Sequence, residues 1–170
     1  MKHVKLERHQ SLTLPRFRLS LGLLAAGLFF LAGMAGCSSK QAAVPTAFIQ
    51  DFLSKHETMV DSSLVDLYVK EEQTRVAQQI NVSIASRKTE GTLERLQHAT
   101  FDFKGMQIEL IDEKEEYVDD APTVFLKIGT HGSFIMSMDE GTKTIPAENV
   151  LILEKVGADW KVTENLNPWG

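Results

Sequence analysis

LILEKVGADWKVTE, residues 151–164, reads as two strands joined by a tight turn. Leu151, Ile152 and Leu153 make a short apolar run, Gly157, Ala158 and Asp159 supply turn chemistry, and Trp160, Lys161 and Val162 resume an alternating pattern. Working back from this hairpin, the two-residue period persists to about Phe101, with turn residues every ten to fifteen positions, as expected of an antiparallel sheet. A first strand is expected over 106–118, closed by a reversal at Asp119, Asp120, Ala121 and Pro122. A second covers 123–138, where Val124, Leu126 and Ile128 alternate with Thr123, Phe125 and Lys127. Gly129 and Gly132 mark either a bend in one long strand or the turn of an extra hairpin, and the bend is the favoured reading. After a turn at Asp139, Glu140 and Gly141, a third strand covers 143–155, with Pro146 at a bulge or edge, and a fourth covers 160–164.

Upstream of the sheet the period changes to that of helices. Phe48, Ile49, Phe52, Leu53 and His56 share one face, and Met59 closes that helix. Asp61, Ser62 and Ser63 then offer N-cap oxygens, with Asp66 three residues after Ser63 in a capping-box arrangement. A second helix is expected from about Leu64, its stripe of Leu64, Tyr68, Val76, Ile80 and Ile84 interrupted at Glu72. Gly91 breaks it and leaves Leu93 and Leu96 on a final turn. The fold class is therefore α+β: N-terminal helices packed on a curved, mostly antiparallel four-stranded sheet.

Helices followed by a long curved meander that ends in Trp160, Lys161 and Val162 resemble the NTF2-like superfamily, to which ketosteroid isomerase also belongs. The likeness covers about residues 46–166 and rests on packing motifs. It implies a cone-shaped domain whose open end serves as a ligand pocket, a catalytic site or an interface. Such a pocket would draw on Tyr68, Met106, Met136, Met138 and Trp160, although core filling is the simplest role for the methionines and for Trp160.

The N-terminal segment speaks of destination. Residues 19–36, LSLGLLAAGLFFLAGMAG, carry no charge, follow Arg16 and Arg18, and end at Cys37, which is the order of an export signal. Met34, Ala35, Gly36 and Cys37 resemble the bacterial lipobox, which implies cleavage between Gly36 and Cys37 and acylation of the cysteine. Stable anchoring to a membrane needs two or more acyl chains, each buried methylene contributing about 0.8 kcal/mol. The competing reading, an uncleaved transmembrane helix, is disfavoured by the glycines, the position and the terminal cysteine. Ser38 in place of Asp is similar to the sorting residue for the outer membrane; the expected location is the bacterial cell envelope, at the outer membrane and facing the periplasm, although Ser38 does not itself tell which side the domain faces. Three parts follow: a cleaved signal over 1–36, lipidated Cys37 with a small polar tether over 37–45, and a single domain over 46–170.

The chain has 18 Lys and Arg and 23 Asp and Glu; five of the bases and one of the acids lie in residues 1–36, leaving 13 − 22 = −9 on the rest. That balance disfavours nucleic acid as a partner. Acylation would consume the only cysteine, and with it thiol catalysis and disulfide formation. His56, His98 and His131 are far apart and lack metal-ligand spacing, and the acidic run Asp112, Glu113, Glu115, Glu116, Asp119 and Asp120 lacks the glycine and spacing of a calcium loop. Asp102 and Glu109 read as solvent-facing acids, and Tyr117 as a rim residue. No catalytic residue, metal or cofactor is assigned. The expected function is a lipid-anchored, non-catalytic domain that binds a small apolar ligand or an envelope protein; the alternatives are a pocket isomerase or hydrolase and a structural lipoprotein acting as a homodimer. Replacing Cys37→Ala is expected to abolish incorporation of labelled palmitate and processing at Gly36, and a variant labelled like the wild type would sink the anchor reading.

Overall fold

The computed structural model describes residues 43–164 and Trp169; Gly36, Cys37 and the rest of the stretch expected to be an export signal lie outside the described residues. Helix α1 (Thr46–Thr58) buries Ile49, Phe52 and Leu53. It ends as expected at Met59, whose left-handed backbone (φ 53°) returns its N–H to the Lys55 carbonyl. Asp61 does cap the next element, accepting from the Ser63 N–H at 2.9 Å. That element is a short 3₁₀ helix, Ser62–Leu67, and α2 starts anew at Lys70 and runs to Thr89. The single helix expected from Leu64 is thus two elements. Tyr68 and Val69 are drawn into extended geometry by strand pairing: Tyr68 bridges Val162, and the Val69 N–H donates to the Val162 carbonyl at 3.0 Å. Gly91 (φ +72°) separates α2 from α3, Leu93–Gln97.

Six antiparallel strands follow: β1 (Thr100–Asp102), β2 (Met106–Val118), β3 (Ala121–Met138), β4 (Gly141–Pro146), β5 (Asn149–Val156) and β6 (Asp159–Thr163). The α+β class stands, and the expected count of four strands does not. The third expected strand is broken at Ala147 and Glu148, and β1 is an addition too short to show a period. The break leaves the register intact, since Ser133 faces Pro146 and Thr130 faces Asn149, three residues apart on both sides. Pro146, with no N–H to give, closes β4. The β2–β3 reversal is tighter than expected: Asp119 and Asp120 alone form it, at φ 49° and 63°, while Ala121 and Pro122 already belong to β3.

β3 is one continuous strand through Gly129 and Gly132, so the bend reading holds and the extra hairpin does not. Its first half pairs with β2 and β5, and its second half with β1 and β4. Both neighbours break at the same level, residues 103–105 on one side and 147–148 on the other, opposite Gly132 (φ +85°). The even-numbered side chains of β3 bury two clusters. Leu126 and Ile128 join Leu153, Val162, Tyr68 and the apolar faces of α1 and α2; Phe134 and Met136 join Ile145 and Ala147. Phe103 and Met106 pack against both clusters and carry the core across the bend.

The bend needs glycine for space as well as for torsion. A Cβ on Gly132 would lie 2.4 Å from the Gly105 carbonyl oxygen, whereas one on Gly157 (φ +61°) would meet nothing within 4 Å. Gly157→Ala is expected to destabilise by about 1 kcal/mol from backbone strain alone. Gly132→Ala should lower stability by clearly more than that, because the Gly105 backbone in the β1–β2 link must also move. Urea denaturation of the two variants checks the difference.

Candidate functional site

The residues expected to line one pocket are dispersed. Tyr68 is 6% exposed, its ring edge-on to Phe52 at 5.5 Å, and it forms part of a cleft of about 330 Å³ between α1 and the β5–β6 pair. Phe52, Leu53, Leu151, Ile152 and Val162 give this cleft apolar walls, and His56, Asn149 and Glu164 stand among its polar groups. Met136 and Met138 belong elsewhere, to a cleft of about 260 Å³ shared with Leu96, Arg87, Arg95 and Lys143. The cations there are engaged: Arg87 with Glu90, Arg95 with Glu140, and Lys143 with Glu57. Met106 is core between the two clusters. Trp160 packs half-buried at the core margin, with the Lys155 ammonium 4.7 Å from its ring centre.

Two further clefts lie outside the sequence expectation. One of about 580 Å³ runs between the end of α1 with its following turn and the α3–β1 junction, where His98 caps α3. The other, about 450 Å³, lies between the start of α2 and the tips of β2, β3 and β5, and gathers Glu71, Glu72, Glu116, Asp119 and Glu154. Burial, reinforced by the Glu71 charge, pushes the Glu154 carboxyl above its ordinary value. Glu72, which interrupts the helical stripe, has a structural task. Its Oε1 accepts from the Glu164 N–H at 2.6 Å and from the Thr163 hydroxyl at 3.3 Å, tying the end of β6 to α2. Arg75 then joins Glu72 and Glu164, at 3.6 and 2.6 Å.

A further polar cluster lies at the bend and was not expected. His131 Nδ1 is 3.0 Å from Glu148 Oε2 and its Nε2 is 3.1 Å from Glu109 Oε1. Glu148 Oε1 accepts from the Gly132 N–H at 2.9 Å. Hydrogen bonds to Glu148 and then to Glu109 hold the His131 pKa above its ordinary value, and the Gly132 N–H followed by His131 holds Glu148 below its own. Glu109 is therefore a partnered acid rather than a lone surface one. No sequence pattern singles out Glu148, but the hairpin turn fixes the other pair: with β2 and β3 in register, Gln107 faces His131 and Glu109 is its diagonal neighbour.

Asp102 is exposed and accepts from Lys104, and Tyr117 is exposed at the β2 tip. Trp169 is docked: its indole N–H donates to Asp112 Oδ2 at 2.7 Å, with the Lys114 and Lys127 ammoniums 5.5 and 6.0 Å from its ring. Leu166, Asn167, Pro168 and Gly170 lie outside the described residues. Among the described residues no group of three His, Cys, Asp or Glu is arranged to hold a metal, and no helix is long and apolar enough to cross a membrane. No known protein family and no curated protein matches this chain.

Burial, then the charges of Glu164 and Glu72, push the Tyr68 phenol from 10.0 up to about 12. A raised value means that the folded state favours the neutral phenol. The stabilisation is therefore complete below the unfolded value of 10.0 and is lost as pH rises through about 12. Ultraviolet phenolate titration should show a late step that disappears in Tyr68→Phe, and a variant that instead loses its amplitude near 10.0 would show the cleft wall to be open to solvent.

Proposed function

We propose that this chain is a lipid-anchored protein of the bacterial envelope whose NTF2-like domain binds a small ligand without catalysing a reaction on it. The observation that carries the anchor is the run Met34, Ala35, Gly36, Cys37 at the end of eighteen uncharged residues, 19–36. The cone-shaped fold is supported by the order of helices before strands and by the bend in β3, at which both neighbouring strands break. The cleft at Tyr68 is the favoured ligand site. Phe52, Leu53, Tyr68 and Val162 offer an apolar body of contacts, and His56, Asn149 and Glu164 offer polar ones, the usual division of labour in a small-molecule site. Its volume, about 330 Å³, suits a small ligand with an apolar body and one polar end. Such a domain would hold its ligand close to the membrane, within the reach of the short tether over 37–45.

Native mass spectrometry of residues 38–170, made without the signal and isolated gently from a periplasmic extract, tests the binding reading. A reproducible excess mass that is released on denaturation, and that falls in a Phe52→Ala variant, is the expected result. A bare domain mass in every preparation would overturn it in favour of a protein partner, and a doubled mass would point to the homodimer.

A further inference from the structure

We propose that His131 is a proton-controlled brace: as an imidazolium it joins β2, β3 and the β4–β5 link at the bend of the sheet, and loss of its proton loosens that bend. The geometry carries this directly. Both ring nitrogens face carboxylate oxygens, Glu148 at 3.0 Å and Glu109 at 3.1 Å. An ionised carboxylate only accepts hydrogen bonds, and a neutral imidazole has one N–H to donate. Both bonds can therefore exist together only while the ring carries two protons. Once one is lost, one carboxylate faces a nitrogen lone pair at hydrogen-bond distance.

The three residues come from three places in the sheet. Glu109 lies on β2, His131 on β3, and Glu148 in the link between β4 and β5. The brace therefore crosses the level at which both neighbours of β3 are broken, where few ladder bonds remain. Those that remain include Ser133 N–H to the Gly105 carbonyl, Ala147 N–H to the Gly132 carbonyl, and the Gly132 N–H held by Glu148 itself. The sequence leaves space for the brace: a Cβ on Gly129 would come within 3.2 Å of Glu109 Oε1 and of His131 Nε2. Glu109 faces the ring from β2 and Glu148 from the β4–β5 link; Gln107, in register on β2, and Gly129, Thr130 and Gly132 on β3 do not titrate. The imidazole is 49% exposed, so its proton is in equilibrium with the medium.

The sign follows from the bonds. The folded state binds the His131 proton more tightly than the ordinary value of 6.5 describes, so the brace is complete below that pH and is lost as pH rises through the higher folded value. Loosening the bend frees the half of the sheet that carries Phe134, Met136 and Ile145 relative to the half that carries Leu126 and Leu153. The brace rests on this geometry alone and is independent of what the Tyr68 cleft binds.

Proton NMR of the ring, combined with amide exchange across pH, tests the proposal on the folded domain. His131 should titrate above 6.5, and Glu109→Gln and Glu148→Gln should each bring it down toward that value. Protection of the Gly132 amide, corrected for the intrinsic rate, should fall several-fold through the same titration and stay flat in His131→Gln. All three side chains are exposed, and thermal unfolding at pH 6 checks that each variant is folded. A His131 that titrates at or below 6.5, or a wild-type amide whose protection ignores the titration, would overturn the brace.

Discussion

A strand has only two hydrogen-bonding edges, and β3 serves four partners with them. It does so by length: eighteen residues, Ala121–Met138, are divided at Gly132 into a half shared by β2 and β5 and a half shared by β1 and β4. Everything else in the sheet hangs on that division. The left-handed backbone of Gly132 turns the strand without ending it, and its missing Cβ lets the Gly105 carbonyl approach. The side-chain alternation survives the turn, so Leu126 and Ile128 reach one buried cluster and Phe134 and Met136 the next, with Phe103 and Met106 packed against both.

The helical layer is fastened to the sheet by a different device. Tyr68 and Val69 leave helical geometry to pair with Val162, and Glu72 caps the end of β6 through the Thr163 hydroxyl and the Glu164 N–H. A part-buried carboxylate would ordinarily weaken an apolar stripe, but here it satisfies backbone that the sheet edge leaves open. This junction also makes the Tyr68 cleft, since the same extended residues hold the phenol against Phe52 and beneath β5 and β6.

Much of the fold was legible because short-range chemistry set it. The apolar face of α1, its left-handed stop at Met59, the Asp119–Asp120 reversal and the unbroken course of β3 each follow from residues within a few positions of one another. The errors came where a distant segment intervened. Val162 ended a helix that Leu64 to Ile84 would otherwise continue, and the bend split a strand whose register runs straight through Pro146 and Asn149. The site residues fared worse. Tyr68 and the pair Met136 and Met138 share apolar character but open onto different clefts, and Met106 opens onto neither. Membership of a pocket depends on which faces meet, and composition carries no record of that.

By itself the sequence determined the α+β order, the direction of each buried face and the charge-free segment ending at Cys37, because period, turn residues and hydropathy are local properties. The tertiary structure decided which polar residues become partners. Glu109, His131 and Glu148 are up to 39 positions apart, and Glu72 is 92 from Glu164. Only strand register and the docking of α2 bring such groups within three ångströms or so, and a hydrogen bond, unlike a hydrophobic contact, exists only at that distance and angle.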